Sequence, residues 1–178
     1  PAPSRTDVIL IGVDPGINGA AAALQPADDD GGEFIIDAID LPTMDDGSNR
    51  QIDEKKFAEW LFLVTGGKRA RAIIENVRAM PSIPGTDGMR RTMGAASSFR
   101  FGLAAGQLRS TIRMAGFPLE FVESSVWKKW FALKGADKEA SRDLALKLWP
   151  MSAYLMKRKK DLKKEISKLV KRKTAIRI

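Results

Sequence analysis

The chain opens its ordered pattern with an apolar run in which no polar position alternates. Val8, Ile9, Leu10, Ile11 and Val13 have strand length and are mostly β-branched, predicting a central strand covered on both faces. Asp14 follows, then Pro15-Gly16 and Gly19, a tight turn that returns the chain into a second strand over 20–24. Residues 26–32, with Asp28, Asp29 and Asp30, read as a solvated hairpin loop, and 33–41 as a third, loosely alternating strand. A loop over 42–49 leads to Asp53, an N-cap for a helix that gathers Phe57, Trp60, Leu61 and Val64 on one face and stops at Gly66-Gly67.

Residues 71–77 predict a short buried strand in which Glu75 is out of place. Pro81, Pro84, Gly85 and Gly88, interspersed with Arg78, Arg90 and Arg91, make 78–96 a long basic loop. A helix over 97–115 aligns Phe101, Leu108 and Ile112, with Gly102 and Gly106 open to close approach by another backbone. Residues 119–122 form the last strand. Ser124 or Ser125 caps a short helix whose Trp127 and Trp130 read as core. Asp137 caps another carrying Ala140, Leu144, Ala145 and Leu148, ended by Pro150. Leu162, Ile166, Leu169 and Val170 then keep helical spacing in a basic background. The order β-β-β-α-β-α-β-α-α predicts an α/β protein. Its mixed five-stranded sheet has three antiparallel strands followed by parallel ones, flanked by helices. One domain over 1–178 is expected, with a basic C-terminal helical segment over 151–178.

Composition narrows the chemistry. With 178 residues, 44% hydrophobic and 29% charged, the chain has the size and balance of a soluble globular domain. No apolar run reaches the ~20 residues of a membrane span and no signal pattern opens the chain, so no membrane partner and a cytoplasmic location are expected. Zero Cys and zero His remove disulfides, thiolate zinc sites and imidazole bases. Metal chemistry would have to use carboxylate oxygens, pointing to Mg²⁺ with Mn²⁺ as a substitute. Net charge is +8, yet residues 151–178 hold 11 Lys and Arg against Asp161 and Glu165, leaving the first 150 residues at −1. That asymmetry fits a polyanionic partner, and equally a solvated basic helix or tail.

Asp14, at the end of a buried strand, is either a turn former or a metal ligand. If the first and fourth predicted strands are neighbours, Asp14 and Glu75 converge and repel unless a cation lies between them. Two divalent ions about 4 Å apart would clamp a phosphate without any histidine. Asp161 and Glu165, four apart on one helical face, either add ligands or relieve charge repulsion among lysines.

These residues carry a resemblance. Val8 to Gly19 with Asp14-Pro15-Gly16, then Ile73-Ile74-Glu75, Phe101-Gly102 through Gly106, Trp127-Lys128-Lys129 and Gly135-Ala136-Asp137-Lys138 resemble the RuvC-type Holliday junction resolvases, the phage-type members above all. The similarity runs from about residue 7 to Pro150. It implies a ribonuclease H-like fold, a homodimer, and Mg²⁺-dependent symmetric nicking of four-way DNA junctions with two ions per active site, in a bacterial or phage-infected cell. Asp14 and Glu75 would be the first-strand and fourth-strand ligands, and Lys138 the lysine near the active site. Lys128 or Lys129 would engage the scissile phosphate. The basic loop with Arg78, Arg90 and Arg91 would enter the junction, with Met80, Met89 or Met93 as wedge. Lys159 and Lys160 would contact DNA, and Asp161 matches the first acid of the family's C-terminal helix. Where a second acid among small residues should follow, this chain has Leu162-Lys163-Lys164-Glu165, so Glu165 stands in. A broader fork or flap nuclease and a branched-DNA binding protein without cleavage are the other readings.

Overall fold

The computed structural model describes residues 8–26, 33–45, 47, 49–76, 83–84, 90–91, 94–133, 135 and 139–150. Asp28, Asp29, Asp30, Arg78, Met80, Met89, Met93, Asp137, Lys138, Lys159, Lys160, Asp161 and Glu165 lie outside the described residues, as does the whole basic segment 151–178. Arg90 and Arg91 are described as backbone only.

Five strands build the main sheet. β1 (Val8–Val13), β2 (Ala20–Pro26) and β3 (Glu33–Asp40) form an antiparallel meander. β6 (Arg69–Glu75) lies parallel to β1 on its other side, and β9 (Leu119–Val122) lies parallel to β6. The order is therefore β3-β2-β1-β6-β9, the mixed sheet of a ribonuclease H-like fold. The crossovers run through α1 (Glu54–Thr65) and α2 (Ala95–Met114). α3 (Ser124–Trp130) and α4 (Ala140–Leu148) follow the last strand.

The core lies between one sheet face and the two crossover helices. Ile9, Ile11, Val13, Ala21, Ala23, Ala70, Ala72 and Ile74 supply the sheet side, and Phe57, Leu61, Leu108 and Ile112 the helix side. Alanine at four of those sheet positions leaves room for the larger helical side chains. Each large apolar residue buried there contributes about 1.5–3 kcal/mol. α1 begins as its sequence requires: Asp53 accepts from the Lys56 amide at 3.0 Å, and Gly66 ends the helix in the left-handed region at φ 54°.

Several expectations need correction. β1 is not covered on both faces: burial alternates, and Gly12 is exposed where its neighbours Ile11 and Val13 are buried. Its apolar run reflects a strand with a core face and a second, partly open face. The predicted loop over 42–49 holds the first arm of a hairpin, β4 (Thr43–Asp45), which pairs with β5 (Arg50–Ile52); Gly47 between them has φ 69°. Two three-residue strands of mostly polar composition leave little period-2 signal. Inside the expected basic loop, β7 (Ile83–Pro84) pairs with β8 (Arg90–Arg91). Neither serine caps α3. Its N-cap is Glu123, whose side chain accepts from Asn76 Nδ2 at 2.8 Å and leaves the helix end uncapped by a side chain. The N-cap of α4 is Glu139 rather than Asp137. Nor are both tryptophans of α3 core residues. No residue of that helix is buried, and Trp130 is 85% exposed.

Candidate active site

Register places the first two acids. β1 and β6 run parallel with Val13 beside Ile74, and both residues are buried on the helix-covered face. Side chains alternate along a strand, so the next residue on each, Asp14 and Glu75, faces the opposite side. The two carboxylates therefore leave adjacent parallel strands at the same level and in the same direction. They line one cavity of about 810 Å³ together with Gly12, Ile73, Trp127 and Lys128. Gly12 and Ile73 lie on the same sheet face as the acids and form its floor.

The turn after Asp14 holds that carboxylate in place. The Asp14 amide donates to Ala20 O at 2.9 Å, and the Gly19 amide donates to Gly16 O at 2.9 Å. A Cβ at Gly19 would collide with the Asp14 carbonyl oxygen, so the turn closes only with glycine there. Phe101 of α2 packs on Gly16 from outside, 3.5 Å from where a Cβ would be.

Glu75 is positioned differently. The indole Nε1–H of Trp127 donates to its Oε2 at 3.0 Å, tying the end of β6 to α3. Beside it, the Asn76 amide donates to Val122 O at 2.7 Å, and Arg109 Nη2 donates to Asn76 Oδ1 at 3.5 Å. These bonds fix the strand end from which Glu75 projects. Lys128 lies 5.3 Å from the centre of the Trp127 ring, a cation–π distance, with its ammonium on the cavity side.

Asp14 is open to the cavity, yet enough protein surrounds it to weaken its hydration. Its pKa is raised above the ordinary 3.8, first by burial and then by the negative charge of Glu75, with Lys128 acting in the opposite direction. A carboxylate crowded by another acid in a cavity open to solvent is a donor set suited to a hard divalent cation. Asp14 and Glu75 fit such an ion. Among the described residues no third carboxylate joins them.

Of the predicted site residues, the structure thus brings together Asp14, Glu75 and Lys128. Lys129, on the same helix, is exposed and does not line the cavity. The polar role of Trp127 was not foreseen, because tryptophan at helical spacing reads as core. Its signal was the indole N–H, which needs an acceptor when partly buried. Asn76 was also missed, and its position directly after Glu75 was the available hint.

No protein-family model matches the chain, and no curated protein does. Among solved structures the chain is similar to Thermus thermophilus RuvC, at 13% identity and a TM-score of 0.47 over 79% of each chain. It is also similar to T. thermophilus RuvC in complex with a Holliday junction substrate, at 12% identity and a TM-score of 0.45 over 68% of this chain and 69% of that one. No described helix is long and apolar enough to cross a membrane.

Proposed function

We propose that this protein is a metal-dependent endonuclease that nicks branched DNA, four-way junctions in particular. The convergence of Asp14 and Glu75 in one cavity beside Lys128 carries this reading. Asp14 and Glu75 would hold Mg²⁺ or Mn²⁺. When bound, the ion supplies Lewis-acid polarisation of a phosphoryl oxygen and a water of lowered pKa. A second ion would draw its further ligands from Asp161 and Glu165.

The chain's own residues do the remaining work. Trp127 holds one oxygen of Glu75, leaving the other free to turn toward the cavity. Lys128 places a positive charge on the cavity wall, and Lys138 would add another. The cavity floor, Gly12 and Ile73, presents no competing polar side chain. Preference for branched DNA rests on the motif resemblance and on the basic residues gathered after Glu75 and after Pro150. A homodimer would set two such sites on opposite strands of a two-fold symmetric junction.

The test is cleavage of end-labelled four-way, forked and plain duplex DNA with Mg²⁺. The expected result is paired nicks in the four-way substrate and little cutting of duplex. Glu75→Gln should lower nicking at least about a hundredfold while junction affinity persists. Cutting of forks and flaps as fast as junctions would mark a broader branched-DNA nuclease. Binding without nicking at any Mg²⁺ or Mn²⁺ concentration would mark a DNA-binding protein.

A further inference from the structure

α3 carries two tryptophans, and the site above uses only one of them. Trp127 turns its indole to Glu75, whereas Trp130, one turn further on, is 85% exposed. Residues three apart on a helix have Cβ atoms about 5–6 Å apart, so this bare ring stands beside the one that holds a candidate metal ligand. Val126, one turn earlier on the same side as Trp130, is exposed as well, and Phe131 is half-exposed. Phe131 also lines the cavity of Asp14 and Glu75. It forms a lip between that cavity and the aromatic surface outside it.

The end of α3 holds these residues in a fixed arrangement. The Leu133 amide donates to Lys128 O at 2.7 Å and the Ala132 amide to Lys129 O at 3.2 Å, the paired bonds of a Schellman ending. Its left-handed position, where glycine is the usual choice, is filled by Ala132 at φ 54°. Among the described residues no other non-glycine has a positive φ. Backbone strain of this kind persists where surrounding bonds over-determine it, and it gathers at ligand-binding segments.

Charge decides what covers the rings. α3 holds Lys128 and Lys129 and no acid, and neither lysine is in an ion pair with a described carboxylate. The centre of a protein–protein interface is depleted of lysine. Aromatic rings interleaved with lysines instead suit a single nucleic-acid strand, the rings taking the π face of a base and the ammonium groups its phosphates. We propose that Trp130, with Phe131 and Lys129, is a stacking platform for an unpaired base of the strand whose phosphate occupies the Asp14–Glu75 cavity. Such a platform favours DNA that is unpaired beside the cut, as at a branch point. The identification of the strand as DNA rests on the nuclease reading; the pairing of aromatic rings with cations rests on α3 itself.

The experiment is a fluorescence-anisotropy titration of the full chain, without metal, using a labelled single strand of about 15 nucleotides and the same sequence as a duplex. Wild type is compared with Trp130→Leu, which keeps an apolar side chain but no π face, and with Trp130→Phe, which keeps a ring. Trp130→Leu should weaken single-strand binding about tenfold and leave duplex binding unchanged, and Trp130→Phe should recover most of the loss. Single-strand binding equal to wild type, or an equal loss on the duplex, overturns the proposal. A Trp130→Leu melting midpoint several degrees lower also overturns it, because another part of the chain then covers the ring. Sedimentation that changes from dimer to monomer does so too, because a second copy then covers it. Cleavage of the four-way substrate by the same proteins separates the two readings. Trp130-dependent strand binding in a protein that never nicks leaves the platform standing and refutes the nuclease. Nicking with strand binding that ignores Trp130 refutes the platform alone.

Discussion

At Asp14 the fold accepts an electrostatic cost that a merely structural turn would avoid. The carboxylate's pKa is raised by burial and by Glu75, so folding favours its protonated form. That contribution to stability is complete below the ordinary value of 3.8 and is lost as pH rises through the raised one. At neutral pH, without metal, ionised Asp14 therefore destabilises the native state. Asp14→Asn should melt at a higher temperature than wild type in chelator at pH 7, with the difference closing as pH falls below the carboxylate range. Adding Mg²⁺ should raise the wild-type midpoint and leave the variant's unchanged. Trp127 acts one step further out, through Glu75. Trp127→Phe keeps the ring and removes the N–H, so single-turnover nicking should fall about tenfold with junction affinity unchanged. A fall in affinity instead would make Trp127 a DNA contact.

At the scale of elements, the turn from β1 into β2 links chain direction to chemistry. Gly19 lies against the Asp14 carbonyl, so Gly19→Ala must open the turn. It should cost about 1–3 kcal/mol in urea denaturation and displace Asp14, lowering nicking more than the stability loss explains. Stability equal to wild type would show that the turn relaxes freely. The same stretch shows how much was legible beforehand. The run Val8–Val13, the Pro-Gly turn and the β-branched residues around Glu75 are local signals, and they sufficed to mark the strands; that β1 and β6 are neighbours was only one arrangement the element order allowed, and the observed register settles it. The hairpin β4–β5 was not legible, because Thr43, Asp45, Arg50 and Gln51 make it polar and its anchors, Leu41 and Ile52, lie at its ends. The caps of α3 and α4 were misplaced for a related reason. Ser124 and Ser125 have the right chemistry for a cap, but the tertiary bond from Asn76 to Glu123 accompanies a helix start one residue earlier. Trp127 shows the limit most plainly: its indole partner is 52 residues away in sequence.

Across the whole molecule, charge and site are divided between regions. The first 150 residues sum to −1 and carry the acidic pair, while the excess of positive charge follows Pro150. In the proposed nuclease such a division would let the basic part attract the polyanion and the acidic pair hold a cation against it. The sheet unites the two acids, from positions 61 residues apart, because a parallel crossover brings β6 beside β1 at the right register. Everything proposed for catalysis depends on that pair sharing an ion. The most direct test is Mn²⁺ binding followed by electron paramagnetic resonance in the absence of DNA, comparing wild type with Glu75→Gln. Wild type should remove Mn²⁺ from the free-ion signal in a saturable way, and the variant should bind at least about tenfold more weakly. Equal binding by the two would show that Asp14 and Glu75 do not hold a common ion.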